Sequence, residues 1–192
     1  MMNIREQIEN YCPDCEQEQN DKELILKFID SNPDAFLRDN RIAHMTASAW
    51  VVNRERTKAL MVYHKIYDSW SWTGGHADGE TDLLSVAIRE VKEETGVTAA
   101  PLSEDIYSLE VLTVDGHEKR GEYVSSHLHL NVTYLLEADE CEELKICEDE
   151  NKGVSWFTLA DALKASTEPW FVERIYKKLN EKLTRLSESR AD

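Results

Sequence analysis

A chain of 192 residues is long enough to bury the core of one domain without disulfide help. Its composition, 41% hydrophobic and 31% charged, is that of a water-soluble globule and excludes a disordered or membrane-embedded chain. The net charge of −16 argues against a nucleic-acid polymer as partner; a small phosphorylated substrate is compatible with it if a divalent cation stands between the two.

In chain order, residues 1–40 read as a polar, helical N-terminal extension. Leu24, Ile25, Phe28 and Ile29 form a stripe of helical period that Asn32-Pro33 ends. From Ile42 the texture turns β-branched and aromatic: HMTASAWVV, a polar turn at Asn53–Arg56, then TKALMVYH, the pattern of a hairpin. Trp70-Ser71-Trp72 leads into the glycine-rich loop GGHADGE and a helix expected over Asp82–Thr95, with Gly96 placed to close it. Strands follow at IYSLEVLTV and HLHLNVTYLL, separated by a charged loop around Asp115–Gly121. An acidic loop, Glu137–Glu150, precedes a short strand VSWF and a helix from near Thr158. Pro169 starts a final amphipathic helix with Phe171, Ile175, Tyr176 and Leu179 on its apolar side, ending in a polar tail expected to fray. The element order predicts an α/β (α+β) fold, a mixed sheet with helices packed on it.

No run approaches the roughly 18 uncharged apolar residues of a membrane span, and the opening MMNIREQIEN lacks the apolar core of a secretory signal. A cytoplasmic location is therefore expected. Cys12, Cys15, Cys141 and Cys147 are too few and scattered for a disulfide framework, and reduced thiols are expected. Cys12-Pro13-Asp14-Cys15 has the spacing of half a zinc knuckle, and Cys141 with Cys147 offers a looser second half. A metal-free CxxC pair is the competing reading.

The chemistry concentrates in GGHADGETDLLSVAIREVKEETGV. At about 100° per residue, Leu84, Ala87, Ile88, Val91 and Thr95 define the expected core side. Glu90 and Glu94 stand one turn apart on the adjoining side, with Glu93 between them in height. Like charges at that spacing cost roughly 0.2–0.5 kcal/mol, and negative charge near a helix C-terminus opposes the dipole by roughly 0.3–1 kcal/mol. A bound cation would reverse both penalties, and clustered carboxylates beside a glycine loop suit Mg²⁺, whereas Zn²⁺ would recruit His or Cys. The alternative from spacing alone is a solvated face neutralised by Arg89 and Lys92.

The whole stretch resembles the Nudix box: a glycine, five residues, Glu, seven residues, then Arg-Glu-apolar-any-Glu-Glu-any-Gly-apolar. Arg89, Glu90, Val91, Glu93, Glu94, Gly96 and Val97 match the second half without a gap, and so many fixed positions make the motif specific. The first Glu of the pattern falls on Thr81 and Glu80 lies one residue early, which leaves Glu80 or Asp82 as the candidate partner of Arg89. More weakly, the resemblance runs over residues 42–165. It implies a Nudix-type α/β/α sandwich over residues 41–167, with helical additions at 1–40 and 168–192.

The resemblance further implies a hydrolase that cleaves a diphosphate linkage in a nucleoside diphosphate derivative or similar small molecule. Mg²⁺, or Mn²⁺ in its place, would be held by Glu93, Glu94, Glu90 and the Gly74 carbonyl. Glu90 doubles as a candidate base, Arg89 supports the cluster, and Glu148 or Glu150 is the loop candidate for a further base or ligand. Gly75, His76, His127 and His129 are the candidate substrate contacts, since His127 and His129 alternate on a strand and share a face. Buried structural histidines are the competing reading. A homodimer is a further implication. Two other functions stay open: a ligand-binding sensor without turnover, and an isomerase resembling the isopentenyl diphosphate isomerase branch, for which neither Cys141 nor Cys147 is near the box in sequence.

Overall fold

The computed structural model describes residues 2–119 and 121–188. Arg120 of the charged loop and the tail expected to fray, residues 189–192, lie outside them. The chain divides into two compact units, one of Met1–Ala49, Gly74–Glu90 and Ser103–Leu135, the other of Trp50–Thr73, Val91–Leu102 and Leu136–Asp192. Strands β1 (Ala43–Val52) and β9 (His127–Ala138) and helix α3 (Leu83–Thr95) each run unbroken from the first into the second.

In the first unit the N-terminal extension is two helices, α1 (Ile4–Asn10) and α2 (Glu16–Ser31), not one. Asn3 and Glu6 form a reciprocal capping box at the start of α1. In α2, Ile25 is fully buried while Leu24, expected beside it, is exposed. Strand β6 (Ser108–Val114) pairs antiparallel with β9, from Ser108↔Thr133 to Val114↔His127. Strand β1 lies along β9, and β4 (Thr73–His76) along β1. Leu128 N donates to Ile42 O (3.0 Å) and Thr46 Oγ1 to Asn131 Oδ1 (2.9 Å), so residue numbers rise together and β1 runs parallel to β9. The expected loop at Asp115–Gly121 contributes to a small hairpin, β7 (His117–Lys119) with β8 (Glu122–Val124).

One face of this half-sheet is polar yet buried. Thr46, Ser48, Ser108, Glu110, Asn131 and Thr133 are all within it, and Glu18 of α2 completes the set. Asn131 Nδ2 and Thr133 Oγ1 donate to Glu110 at 3.1 and 2.7 Å. Ser108 Oγ reaches Glu18 at 2.8 Å and also Glu110, and Tyr11 OH donates to Glu18 at 2.7 Å. Hydrogen-bond closure of this kind is what makes burial of so many polar atoms tolerable.

In the second unit, β1 turns into β2 (Lys58–His64) with Val52 opposite Ala59. Asn53 ties the turn, its Oδ1 accepting from Thr57 N and Lys58 N at 2.9 Å. Strand β10 (Asn151–Thr158), longer than the VSWF expected, pairs antiparallel with β2; β3 (Ser69–Ser71) also joins β2, and β5 (Ala99–Pro101) joins the end of β9. Thr158 caps α4 (Leu159–Ala165). The C-terminal segment begins at Pro169 as expected: α5 (Pro169–Phe171), a π-helical turn at Val172–Tyr176, and α6 (Lys177–Glu188). Its buried Tyr176 stacks on Trp50 at 5.4 Å between ring centres and meets the edge of Trp72 at 5.8 Å.

Helix α3 forms where the periodicity places it, and Gly96 closes it at φ +77°, a conformation that favours glycine. Its buried side is rotated from the expected one: Leu83, Val86, Ala87, Val91, Glu94 and Thr95 are buried, while Leu84 and Ile88 are half-buried. Helical projection puts Leu83, Ala87 and Glu94 within about 40° of one another. Accepting Glu94 inside turns the helix by about 60° from where apolarity alone would set it. The outcome is the mixed sheet with helices, an α+β fold, that the element order predicts. Among the described residues no helix is long and apolar enough to cross a membrane.

Candidate active site

The start of α3 is held by carboxylates. Asp82 accepts from Ser85 N (3.2 Å) and Ser85 Oγ (2.6 Å), and Glu80 Oε1 accepts from Thr81 N (2.8 Å) and Asp82 N (2.9 Å). Negative charge here also complements the helix dipole. Glu80 thus ties down the two residues that lead into the helix. Arg89 Nη2 pairs with Glu90 Oε1 at 3.1 Å.

The Glu90 side chain is 15% exposed and presses on the glycine strand. A Cβ built on Gly75 would lie 2.5 and 2.6 Å from its two carboxylate oxygens, and one on Gly74 only 2.7 Å from Ala47 O. Two successive glycines are thus what allows β4 to pass between β1 and the Glu90 carboxylate.

Farther along the helix, in the second unit, Glu94 is 3% exposed. Its Oε1 accepts a long hydrogen bond from Asn151 Nδ2 (3.4 Å), and Asn151 Oδ1 has no partner among the described residues. Glu93 is at the surface. The three carboxylates are therefore graded: half-buried, exposed, buried. Glu148 and Glu150 are exposed, and it is their main-chain carbonyls that are engaged, Glu150 O by Lys65 N at 3.0 Å and Glu148 O by the Lys65 ammonium. The acidic loop delivers the next residue, Asn151, to the helix. Sequence reasoning missed Asn151; its only signal is a polar residue heading a strand.

Three of the four candidate substrate contacts are histidines of the first unit, joined there by a fourth, His44. Ring centres lie 5.0 Å apart for His44–His76, His44–His127, His44–His129 and His127–His129, and 4.9 Å apart for His76–His129. Burial pushes His129 down to about 2, with the neighbouring imidazoles of His76, His44 and His127 adding to the shift. Burial likewise lowers His44. His44 went unnamed in the sequence because only the pairing of β1 with β9 brings it to His127 and His129. The four cysteines are free. Among the described residues the converging metal-competent group is His44, His127 and His129, and no cysteine belongs to it.

Clustered carboxylates on one helix beside close-packed glycine backbone can hold a hard divalent cation and admit a phosphate chain. The NUDIX domain family model matches residues 43–179. The probable DHNTP pyrophosphohydrolase of Lactococcus lactis subsp. cremoris (strain MG1363) is 27% identical over 125 residues, covering 63% of this chain and 72% of the relative. Among solved structures, a C. elegans Ap4A hydrolase binary complex superposes with a TM-score of 0.55 at 20% identity, covering 76% of this chain and 98% of that one. A NUDIX family hydrolase from Clostridium perfringens gives 0.52 at 23% identity, covering 74% and 97%. The family match takes in the glycine strand, the whole of α3 and the first half of the C-terminal segment, and the chain belongs to the NUDIX family, as a hydrolase of pyrophosphate bonds.

Proposed function

We propose that this hydrolase is Mg²⁺-dependent, with Mn²⁺ as a substitute, and cleaves the diphosphate linkage of a nucleoside diphosphate derivative or similar small organic diphosphate. The observation that carries the reading is on α3: a buried carboxylate, Glu94, one helical turn from a half-buried one, Glu90, that is pressed on glycine backbone. Drawing carboxylates inside a protein is costly, and a divalent ion is a partner that oxygen donors in this number fit.

Glu90, Glu93, Glu94 and the Gly74 carbonyl are the groups that would hold the ion. When bound, such an ion neutralises the diphosphate and acidifies a water for attack on phosphorus. Arg89 keeps the Glu90 carboxylate oriented, and Asn151, by donating to Glu94, leaves that residue's oxygens as acceptors. Gly75, His76, His127 and His129 form the substrate side of this reading, and Glu148 or Glu150 the further base or ligand. The reading extends to residues 41–167 as the catalytic domain flanked by helical additions, to a homodimer, checked by light scattering, and to the cytoplasm, which the four free thiols favour.

The test is phosphate release from a panel with Mg²⁺: nucleotide sugars, ADP-ribose, (d)NTPs, Ap4A and DHNTP, the last two because the relatives' names carry them. With the best substrate, Glu94→Gln is expected to lower kcat by at least about 10²-fold, the scale for removing a main electrostatic contributor. Undiminished turnover in that variant would mean that the chemistry happens elsewhere.

A further inference from the structure

The histidine cluster is built as a ligand set. One ring nitrogen from each of His44, His127 and His129 lies within 4.8 Å of the others, and His127 Nε2 is 3.2 Å from His129 Nε2. The far nitrogens fix two of the tautomers. A carbonyl can only accept, so His44 Nδ1 donates to Asn40 O (3.0 Å) and His127 Nδ1 to Ser125 O (2.8 Å). Each neutral ring is then left with a bare Nε2 lone pair, that of His127 facing His129, and backbone carbonyls commonly orient metal-binding imidazoles in this way.

A cluster held by hydrogen bonds alone would leave something over. A single bond joins His127 to His129, but His44, only 4% exposed, keeps an Nε2 that is buried and has no hydrogen-bond partner among the described residues. A metal ion answers this nitrogen and the other two together. In a tetrahedral site with Zn–N bonds of about 2.0–2.1 Å, neighbouring nitrogens are roughly 3.3 Å apart. The His127–His129 spacing already meets that, and a ring nitrogen of His44 lies within 4.8 Å of both.

We propose that His44, His127 and His129 bind a transition-metal ion of the Zn²⁺ class, at a site separate from the helix glutamates. Imidazole donors select Zn²⁺, Cu²⁺, Ni²⁺ or Fe²⁺ over Mg²⁺. Three protein ligands leave one position for water or an anionic oxygen. His76, with its ring centre 5.0 Å from that of His44 and 4.9 Å from that of His129, closes one side.

The test reads metal directly, so its outcome is independent of turnover. Chelator-stripped full-length protein is titrated with Co²⁺ under excess Mg²⁺, which occupies the carboxylates. One equivalent with the intense visible bands of four- or five-coordinate nitrogen ligation is expected. Zn²⁺ should displace it, and His129→Gln and His44→Gln should each weaken binding by at least about 100-fold, the upper end of what loss of a mere supporting partner costs. Glu94→Gln should leave the titration unchanged. Pale octahedral spectra, or equal affinity in the histidine variants, would overturn the site. Should those variants fail to fold, X-ray absorption of Zn²⁺-loaded wild type decides: three imidazoles support the site, and two or fewer refute it.

Discussion

At the scale of single residues, the constraint that bears on the candidate site is the one between Gly75 and Glu90. A methyl group at Gly75 would stand 2.5 and 2.6 Å from the carboxylate oxygens, so either the side chain or β4 must shift. Displacements of about 1 Å at a catalytic group cost on the order of 10²-fold in rate. Gly75→Ala is therefore expected to reduce kcat by roughly 10–100-fold while KM changes less, as steady-state kinetics would show. An unchanged kcat would separate Glu90 from the chemistry. These constraints were unevenly legible. Arg89, Glu90, Glu93 and Glu94 could be read from the chain because they are local to one helix. Asn151 and His44 could not, since tertiary packing brings Asn151 to Glu94 and strand pairing brings His44 to His129, about 57 and 85 positions away. The burial of Glu94 was hidden for another reason: pattern reading sends charge to solvent, and a carboxylate drawn inside defeats it.

At the scale of elements, the C-terminal segment belongs to the core of its unit. Tyr176 is fully buried, stacked on Trp50 and edge-on to Trp72, with Ile175, Leu179 and Leu183 buried around it. Tyr176→Ala should cost about 3–5 kcal/mol by cavity formation, measured by urea unfolding, whereas Tyr176→Phe should cost under about 1.5 kcal/mol because the ring is retained. Equal losses in the two variants would shift the weight from the ring to the hydroxyl. Helix α2 is fastened differently, by polar contacts of Glu18 with Ser108, Tyr11 and the Asp14 N–H. Ser108→Ala removes the hydroxyl that bridges Glu18 and Glu110, and a loss of about 1–3 kcal/mol is expected on the same assay. The positions of these helices were readable from their apolar stripes and from Pro169. The break between α1 and α2 and the β7–β8 hairpin were not, because charged or polar sequence there carries no period of 2 or 3.6, and the π-helical turn lies inside an apolar stripe that reads as one continuous helix.

At the scale of the whole molecule, a net charge of −16 must shape how a polyanionic substrate arrives. Two fields of opposite sign act on it. The global one is repulsive and long-ranged, felt out to about 30 Å at 0.01 M salt but only about 8 Å at 0.15 M. The local one, from the cation proposed at the carboxylates, acts at contact distance where salt screens little. Raising ionic strength therefore removes the repulsion first and leaves the attraction. With Mg²⁺ kept saturating, kcat/KM for the best panel substrate should rise by roughly two- to tenfold as NaCl goes from near zero to about 0.15 M, while kcat stays level. Enzymes that steer anions with a basic cleft show the opposite slope, and a fall in kcat/KM with salt here would mean that a local positive field outweighs the acidic surface.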